Sequence, residues 1–274
     1  MLEQLSIAEM PIARPLLDGL DDHLILQAVL DGTSPGRVYV DDRRHPTAAF
    51  VDSAEGRYLA GSSGNRAFND ALRRMLLETV FAAGDGAFLG FINPESWDGA
   101  LPELVPHQPL LADRRRQYVC RAVRDDWPAD LPAGHTIQRI DATLLARTDL
   151  HAPDHIFRWM RSNWGSTEAF LQHGFGFCTL HDTAIVCWCL ADCVHDDRCE
   201  VGIRTAPAYQ RRGLATRTVA AAATYALSHG FREVGWHCSD TNNGSWKTAE
   251  KVGFIQTSSY IEHYCIVDHR FLPG

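Results

Sequence analysis

The stretch Thr205-Ala206-Pro207-Ala208-Tyr209-Gln210-Arg211-Arg212-Gly213-Leu214-Ala215-Thr216 constrains this chain more than any other. A β-branched segment from Val201 runs into it, and the alanine-rich run Val219 to Leu227, helix-forming by composition, follows it. The elbow therefore falls where a helix begins. The first amides of a helix have no partners inside it. With the positive end of the helix dipole, worth roughly 0.3–1 kcal/mol, they make an anion site. Gly213 has no Cβ, so an anion can approach the backbone, and Ala215 keeps the next position small.

The pattern on either side reads as alternating strands and helices. His23 to Leu30 has helical spacing and stops at Asp31-Gly32. Arg37 to Val40, Thr47 to Val51 and Arg57 to Ala60 read as strands. Asn65 is a candidate cap for a helix reaching about Ala83, with Phe68, Leu72, Met75 and Leu76 on one stripe and Gly84-Asp85-Gly86 as its stop. Ala87 to Ile92 is a strand, Pro94 to Leu104 a short helix and Gln117 to Val123 a strand. Trp127-Pro128-Ala129-Asp130-Leu131-Pro132-Ala133-Gly134, with two prolines and a glycine, reads as a linker between 1–130 and 131–274. His135 to Ile140 is then a strand, and Ala142 to Leu150, His155 to Asn163 and Ser166 to His173 are helices. Phe175 to Leu180 and Ala184 to Ala191 form a hairpin turning at His181-Asp182. Arg198 to Thr205 is a strand, Arg211 to Ser228 the central helix and Glu233 to Cys238 a strand. Gly244 to Lys251 is a helix and Gln256 to Val267 the closing strands.

Gln210-Arg211-Arg212-Gly213-Leu214-Ala215 resembles the pyrophosphate-binding signature of the GCN5-related N-acetyltransferases, the GNAT family. Asn242 and then Glu250-Lys251-Val252-Gly253-Phe254 follow where that family carries its asparagine and a helix ending in Glu-Lys-Leu-Gly-Phe. The resemblance covers roughly residues 135–267. The whole chain is similar to the group that includes zwittermicin A resistance acetyltransferases, on Gly36-Arg37-Val38-Tyr39-Val40-Asp41, Phe175-Gly176-Phe177-Cys178 and Gly235-Trp236-His237-Cys238.

The resemblance implies an α+β fold: a mixed, mostly antiparallel sheet with a splayed parallel pair, flanked by helices, in the C-terminal half. The N-terminal half repeats the order of elements without a Gln-x-x-Gly-x-Ala elbow before Asn65. It is either a degenerate copy unable to hold a nucleotide or an unrelated α+β domain of similar order. The implied reaction is direct attack of a primary amine on acetyl-CoA, the co-substrate. Ile203, Arg204 and Thr205 would meet the pantetheine arm, Gln210, Arg211, Arg212, Gly213, Leu214, Ala215 and Thr216 the pyrophosphate, and Asn242 the cofactor from the other side. Arg211 and Arg212 also read as solvated helix-start arginines, and Asn242 as a turn residue.

An alkylammonium with a pKa near ~10.4 costs roughly 4–5 kcal/mol to deprotonate at pH 7. A base is therefore expected near the splay. Glu200, on the first parallel strand, and His237, at the end of the second, are candidates; the alternatives are a rim carboxylate and a satisfied core histidine. Many relatives carry, just before Glu-Lys, a tyrosine that protonates the leaving thiolate. Ala249 stands there in this chain, so the acid is missing, replaced by water, or supplied by Tyr260 or Tyr264, which also read as core aromatics; this keeps open a non-catalytic acyl-CoA sensor or a partner-binding scaffold. Trp159, Trp164 and Phe170 are candidates either for the acceptor pocket or for the core.

Composition bounds the partners. A net charge of −8 argues against nonspecific nucleic-acid binding and suits a cationic small molecule. The absence of a long apolar run or signal-like start points to a cytoplasmic protein with no membrane partner. Cys187, Cys189, Cys193 and Cys199 crowd one region beside His195. Their alternating spacing reads as buried thiols on strands rather than a zinc site, so no metal is expected.

Overall fold

The computed structural model describes residues 1–81, 88–124 and 130–267, and its strands and helices make an α+β fold. The chain divides into two compact units: Met1–Arg114 joined by Tyr260–Gly274, and Arg115–Ser259. The division expected at 130/131 thus falls within the sequence span of the second unit. Residues 127–129 of the expected linker lie outside the described residues.

The first unit contains β1 (Glu3–Gln4), α1 (Leu24–Leu30), β2 (Gly36–Val40), β3 (Ala48–Ser53), β4 (Arg57–Gly61), α2 (Arg66–Phe81), β5 (Phe88–Ile92) and α3 (Leu101–Leu104). The end of β12 (Ile255–Ile266) returns to it and pairs antiparallel with β5, from Glu262↔Ile92 to Ile266↔Phe88. Its strand order is β1-β2-β3-β4-β5-β12. The parallel pair β4/β5 is joined only at Arg57↔Phe91 and Tyr58↔Ile92. Phe50, Phe68, Leu72, Phe91 and Trp97 fill its core. Asn65 caps α2, its Oδ1 accepting from Phe68 N at 3.2 Å, and its amide donates to Asp41 Oδ2 at 2.9 Å. Asp41 also accepts from Thr47 N, Thr47 Oγ1 and Ala48 N. Burial opposes its ionisation, but these hydrogen bonds together outweigh burial and hold its carboxyl at about 2.

The second unit runs through β6 (Leu111–Cys120), β7 (His135–Arg139), α4 (Ala142–Leu145), α5 (Asp154–Trp164), α6 (Thr167–His173), β8 (Gly176–His181), β9 (Ala184–His195), β10 (Arg198–Thr205), α7 (Leu214–Ser228), β11 (Glu233–Ser239) and α8 (Asn243–Val252). Its strand order is β6-β11-β10-β9-β8-β7. The same sequence of connections recurs in both units: an antiparallel run, a crossover helix, a parallel strand, and a closing strand remote in sequence. Residues 115–120 of β6 pair with β11 from Arg115↔Ser239 to Cys120↔Val234, which is why compactness assigns them here.

Several boundaries differ from those the sequence predicts. The central helix starts at Leu214, not Arg211, because Arg211 and Gly213 have φ of 60° and 75°. The helix expected over Pro94 to Leu104 splits into a turn at Glu95–Trp97 and α3, with helix-weakening Gly99 between them. The helix expected from Ala142 to Leu150 ends at Leu145, and His151 instead bridges to Ala184 at the start of β9. β6 begins at Leu111 rather than Gln117, and residues 256–266 form one strand rather than several. The expected stop at Gly84-Asp85-Gly86 lies outside the described residues. No helix among the described residues is long and apolar enough to cross a membrane.

Candidate active site

β10 and β11 run parallel but pair only at Arg198↔Glu233, Cys199↔Val234 and Glu200↔Gly235. Beyond that point 201–205 and 236–239 no longer pair with each other. On its far side β10 stays bonded to β9 through Thr205↔Cys187, so the edge facing the gap presents main-chain groups to an extended ligand.

Ile203, Arg204 and Thr205, past the last pair on β10, line a cleft of about 710 Å³. Its far wall is the elbow. Gly213 is the N-cap of α7, in the left-handed region and without a side-chain cap, so the first amides of α7 have no internal or capping acceptor. Gly213 is exposed to solvent, and a Cβ there would collide only with the Arg217 guanidinium. Gln210 closes the elbow onto the strand, its Nε2 donating to Thr205 O at 3.3 Å.

Of the residues expected to hold the cofactor, Ile203, Arg204, Thr205, Gln210, Arg211, Gly213, Leu214, Ala215, Thr216 and Asn242 all line this cleft. Arg212 does not: its guanidinium donates to Ala208 O at 2.9 Å and lies over the Tyr209 ring. Asn242 caps α8, its Oδ1 accepting from Ser245 N at 3.1 Å, as well as facing the cleft. Sequence reasoning passed over Lys247 and Lys251, which also line it. Their i, i+4 spacing, which puts both on one helix face, was the available signal. The lining residues include Arg204, Arg211, Lys247 and Lys251 and no carboxylate. A chain of net charge −8 thus keeps a cationic cleft, the arrangement a polyphosphate requires.

Where the two strands still pair, Glu200 and His237 meet, His237 Nε2 standing 3.1 Å from Glu200 Oε1. Both side chains are nearly buried. Gly235 makes the contact possible, since a Cβ there would press on Glu200 Cγ at 2.7 Å. The Cys193 thiol donates to Glu200 Oε2 at 3.7 Å. Tyr260 belongs to the first unit, where its ring lies edge-on to His23 with centroids 4.6 Å apart. Ala249 is fully buried in α8. Tyr118, which the sequence did not single out, donates from β6 to Glu250 Oε1 at 3.1 Å and ties that strand to α8.

Trp159 is half-buried, whereas Trp164 and Phe170 belong to the core, Trp164 donating to Ala191 O at 2.9 Å. Cys187, Cys189, Cys193 and Cys199 are buried free thiols of β9 and β10. Burial pushes Cys187 and Cys199 up and Cys189 well above the ordinary thiol range.

A family model described as GNAT acetyltransferase matches residues 14–262. Over 270 residues the chain is 27% identical to the uncharacterized N-acetyltransferase YdfB of Bacillus subtilis, covering 96% of this chain and 98% of that one. Its fold is similar to that of a GCN5-related N-acetyltransferase-like protein from Streptococcus suis, with a TM-score of 0.69 at 21% identity over 96% of this chain and 100% of that one. It is also similar to a tandem GNAT protein from the clavulanic acid biosynthesis pathway, with a TM-score of 0.56 at 10% identity over 97% and 98%.

Proposed function

The chain belongs to the GNAT acetyltransferase family and is an acyltransferase, and we propose that it moves the acetyl group of acetyl-CoA to a primary amine of a small molecule, a metabolite or an antibiotic. One observation carries the cofactor half of this reading: an uncapped, solvent-exposed Gly213 elbow closes a cationic cleft that begins where β10 and β11 part. A diphosphate fits the free amides of α7, and an extended acyl arm fits the unpaired edge of β10.

In the transfer, the amine nitrogen attacks the thioester carbonyl carbon. The N–C bond forms, the C–S bond breaks, and CoA leaves as thiolate. The ammonium first gives one proton to solvent, and the proton that nitrogen sheds as the amide forms goes to the Glu200–His237 pair, which shares a hydrogen bond and acts as one base. With Ala249 buried at the position where relatives carry tyrosine, the thiolate takes its proton from water. A thiol with a reference pKa near ~8.5 tolerates this. Alignment of amine and thioester supplies much of the acceleration.

The first unit is, in this reading, a degenerate copy. Its crossover helix α2 starts under the Asn65 cap with the Asp41 carboxylate hydrogen-bonded to that cap, an arrangement that consumes an amide and repels an anion. One acetyl-CoA per chain is therefore expected. Ala249 also favours a second reading, a non-catalytic acyl-CoA sensor. Thermal-shift titration with acetyl-CoA, then release of CoA thiol with an amine panel, tests both. Acetyl-CoA at a hundredfold its Kd stabilises by about 2.7 kcal/mol. Stabilisation without turnover selects the sensor, and no stabilisation removes both.

A further inference from the structure

The face of β10 that carries Glu200 and Gly202 holds a second arrangement, just past the point where the parallel pair ends. β9 bulges against β10 where the register shifts between Glu200 and Val201, and Asp192 stands at that bulge, buried. Trp159, from α5, donates its indole N–H to Asp192 Oδ1 at 2.5 Å. Its ring is seated on Gly202: a Cβ there would collide with Trp159 Cζ2 and stand 3.0 and 2.9 Å from the two Asp192 oxygens. Trp188 meets Trp159 edge-on, with centroids 4.8 Å apart at 76°. Trp188 is held in turn by donating to His155 Nε2 at 2.9 Å. A half-buried indole seated on a glycine and hydrogen-bonded to a buried carboxylate has little rotamer freedom. It stands two residues along β10 from Glu200, on the face where Glu200 and His237 meet.

We infer that Trp159, locked by Asp192 and Gly202, is the wall that positions the acceptor, and that the acceptor is a cationic primary amine on an aliphatic stem. An indole face attracts an ammonium and packs well against methylenes. Asp192 is a positioning residue: it acts on the acceptor through Trp159.

This inference rests on the acetyl-transfer reading, and the test separates the two. Acetyl-CoA binding is measured by thermal shift, and steady-state acetylation of 1,4-diaminobutane, spermidine, lysine and aniline is followed for the wild type and for Trp159→Ala, Trp159→Phe and Asp192→Ala. Trp159→Ala and Asp192→Ala should raise KM for the alkylamines tenfold or more with kcat changed less, and should leave the acetyl-CoA shift in place. Trp159→Phe keeps an aromatic wall but loses the hydrogen bond to Asp192, so its KM should fall between those of the wild type and Trp159→Ala. The inference is overturned if KM is insensitive to all three variants, if aniline is preferred over the alkylamines, or if a protein that binds acetyl-CoA acetylates none of the alkylamines. Loss of acetyl-CoA binding by the wild type would instead remove the transfer reading and this inference with it.

Discussion

Replacing Gly213 by alanine separates the backbone's part in folding from its part in ligand binding. The residue has φ +75°, and a Cβ would meet the Arg217 Nη1 that now donates to Gly213 O at 3.0 Å. An L-residue in this region costs about 1–2 kcal/mol. Arg217 is flexible and can swing away, giving up a hydrogen bond worth about 0.5–1.5 kcal/mol. Together these predict about 1.5–3.5 kcal/mol of destabilisation, a fall in Tm of about 3–14 °C. On the proposed reading of the elbow, the methyl group would also stand in the path of the diphosphate. Losing one charge-assisted hydrogen bond costs about 1.5–3 kcal/mol, a roughly ten- to hundredfold weaker Kd for acetyl-CoA. Gly230 is the control: its φ is +98°, and a Cβ there would meet nothing within 4 Å. Gly230→Ala should share the backbone penalty and keep acetyl-CoA affinity within about twofold, because it touches no ligand group. Thermal melts and isothermal titration of both variants decide it. Equal affinity of Gly213→Ala and the wild type would refute the elbow as the anion site, and equal losses in both variants would refute the separation.

Glu200→Gln and His237→Gln should each lower kcat by about a hundredfold or more while retaining acetyl-CoA binding. The double variant should be little worse than the poorer single, since one shared proton is lost once; fully multiplicative losses would show two independent roles. Asp41, held at about 2 against an ordinary 3.8, contributes stability above about pH 4 that fades as the pH falls towards 2. Asp41→Asn should therefore cost about 2 kcal/mol near neutrality and less at pH 3, read from denaturant midpoints at the two pH values. The eight free thiols are all buried, Cys178 pushed up to about 12 by burial, so a chromogenic disulfide reagent should titrate less than one thiol rapidly in the native protein and all eight after denaturation. Truncation after Phe254 removes the strand that pairs with Phe88–Ile92, and should leave the first unit's β5 edge prone to aggregation, seen by light scattering.

The sequence by itself determined the local features. Propensity and the glycine elbow located the strands of the second unit other than β6, and the start of its crossover helix, to within a few residues, and the spacing from Gln210 to Asn242 located both lips of the cleft. Asn65 was legible as a cap because capping depends on residues three apart. Only the tertiary structure decided which strand closes which sheet. Residues 115–120 pair with β11, and 262–266 pair with β5, across separations that no periodicity encodes. Glu200 and His237 were each nameable from their strands, but their contact depends on the absent side chain of Gly235. Asp192 and Trp159 escaped notice as a pair because a bulge shifts the alternation that assigns strand residues to faces. Local chemistry is written in neighbouring residues, whereas strand partners are chosen by which pairing buries the most apolar surface while leaving the fewest main-chain groups unbonded.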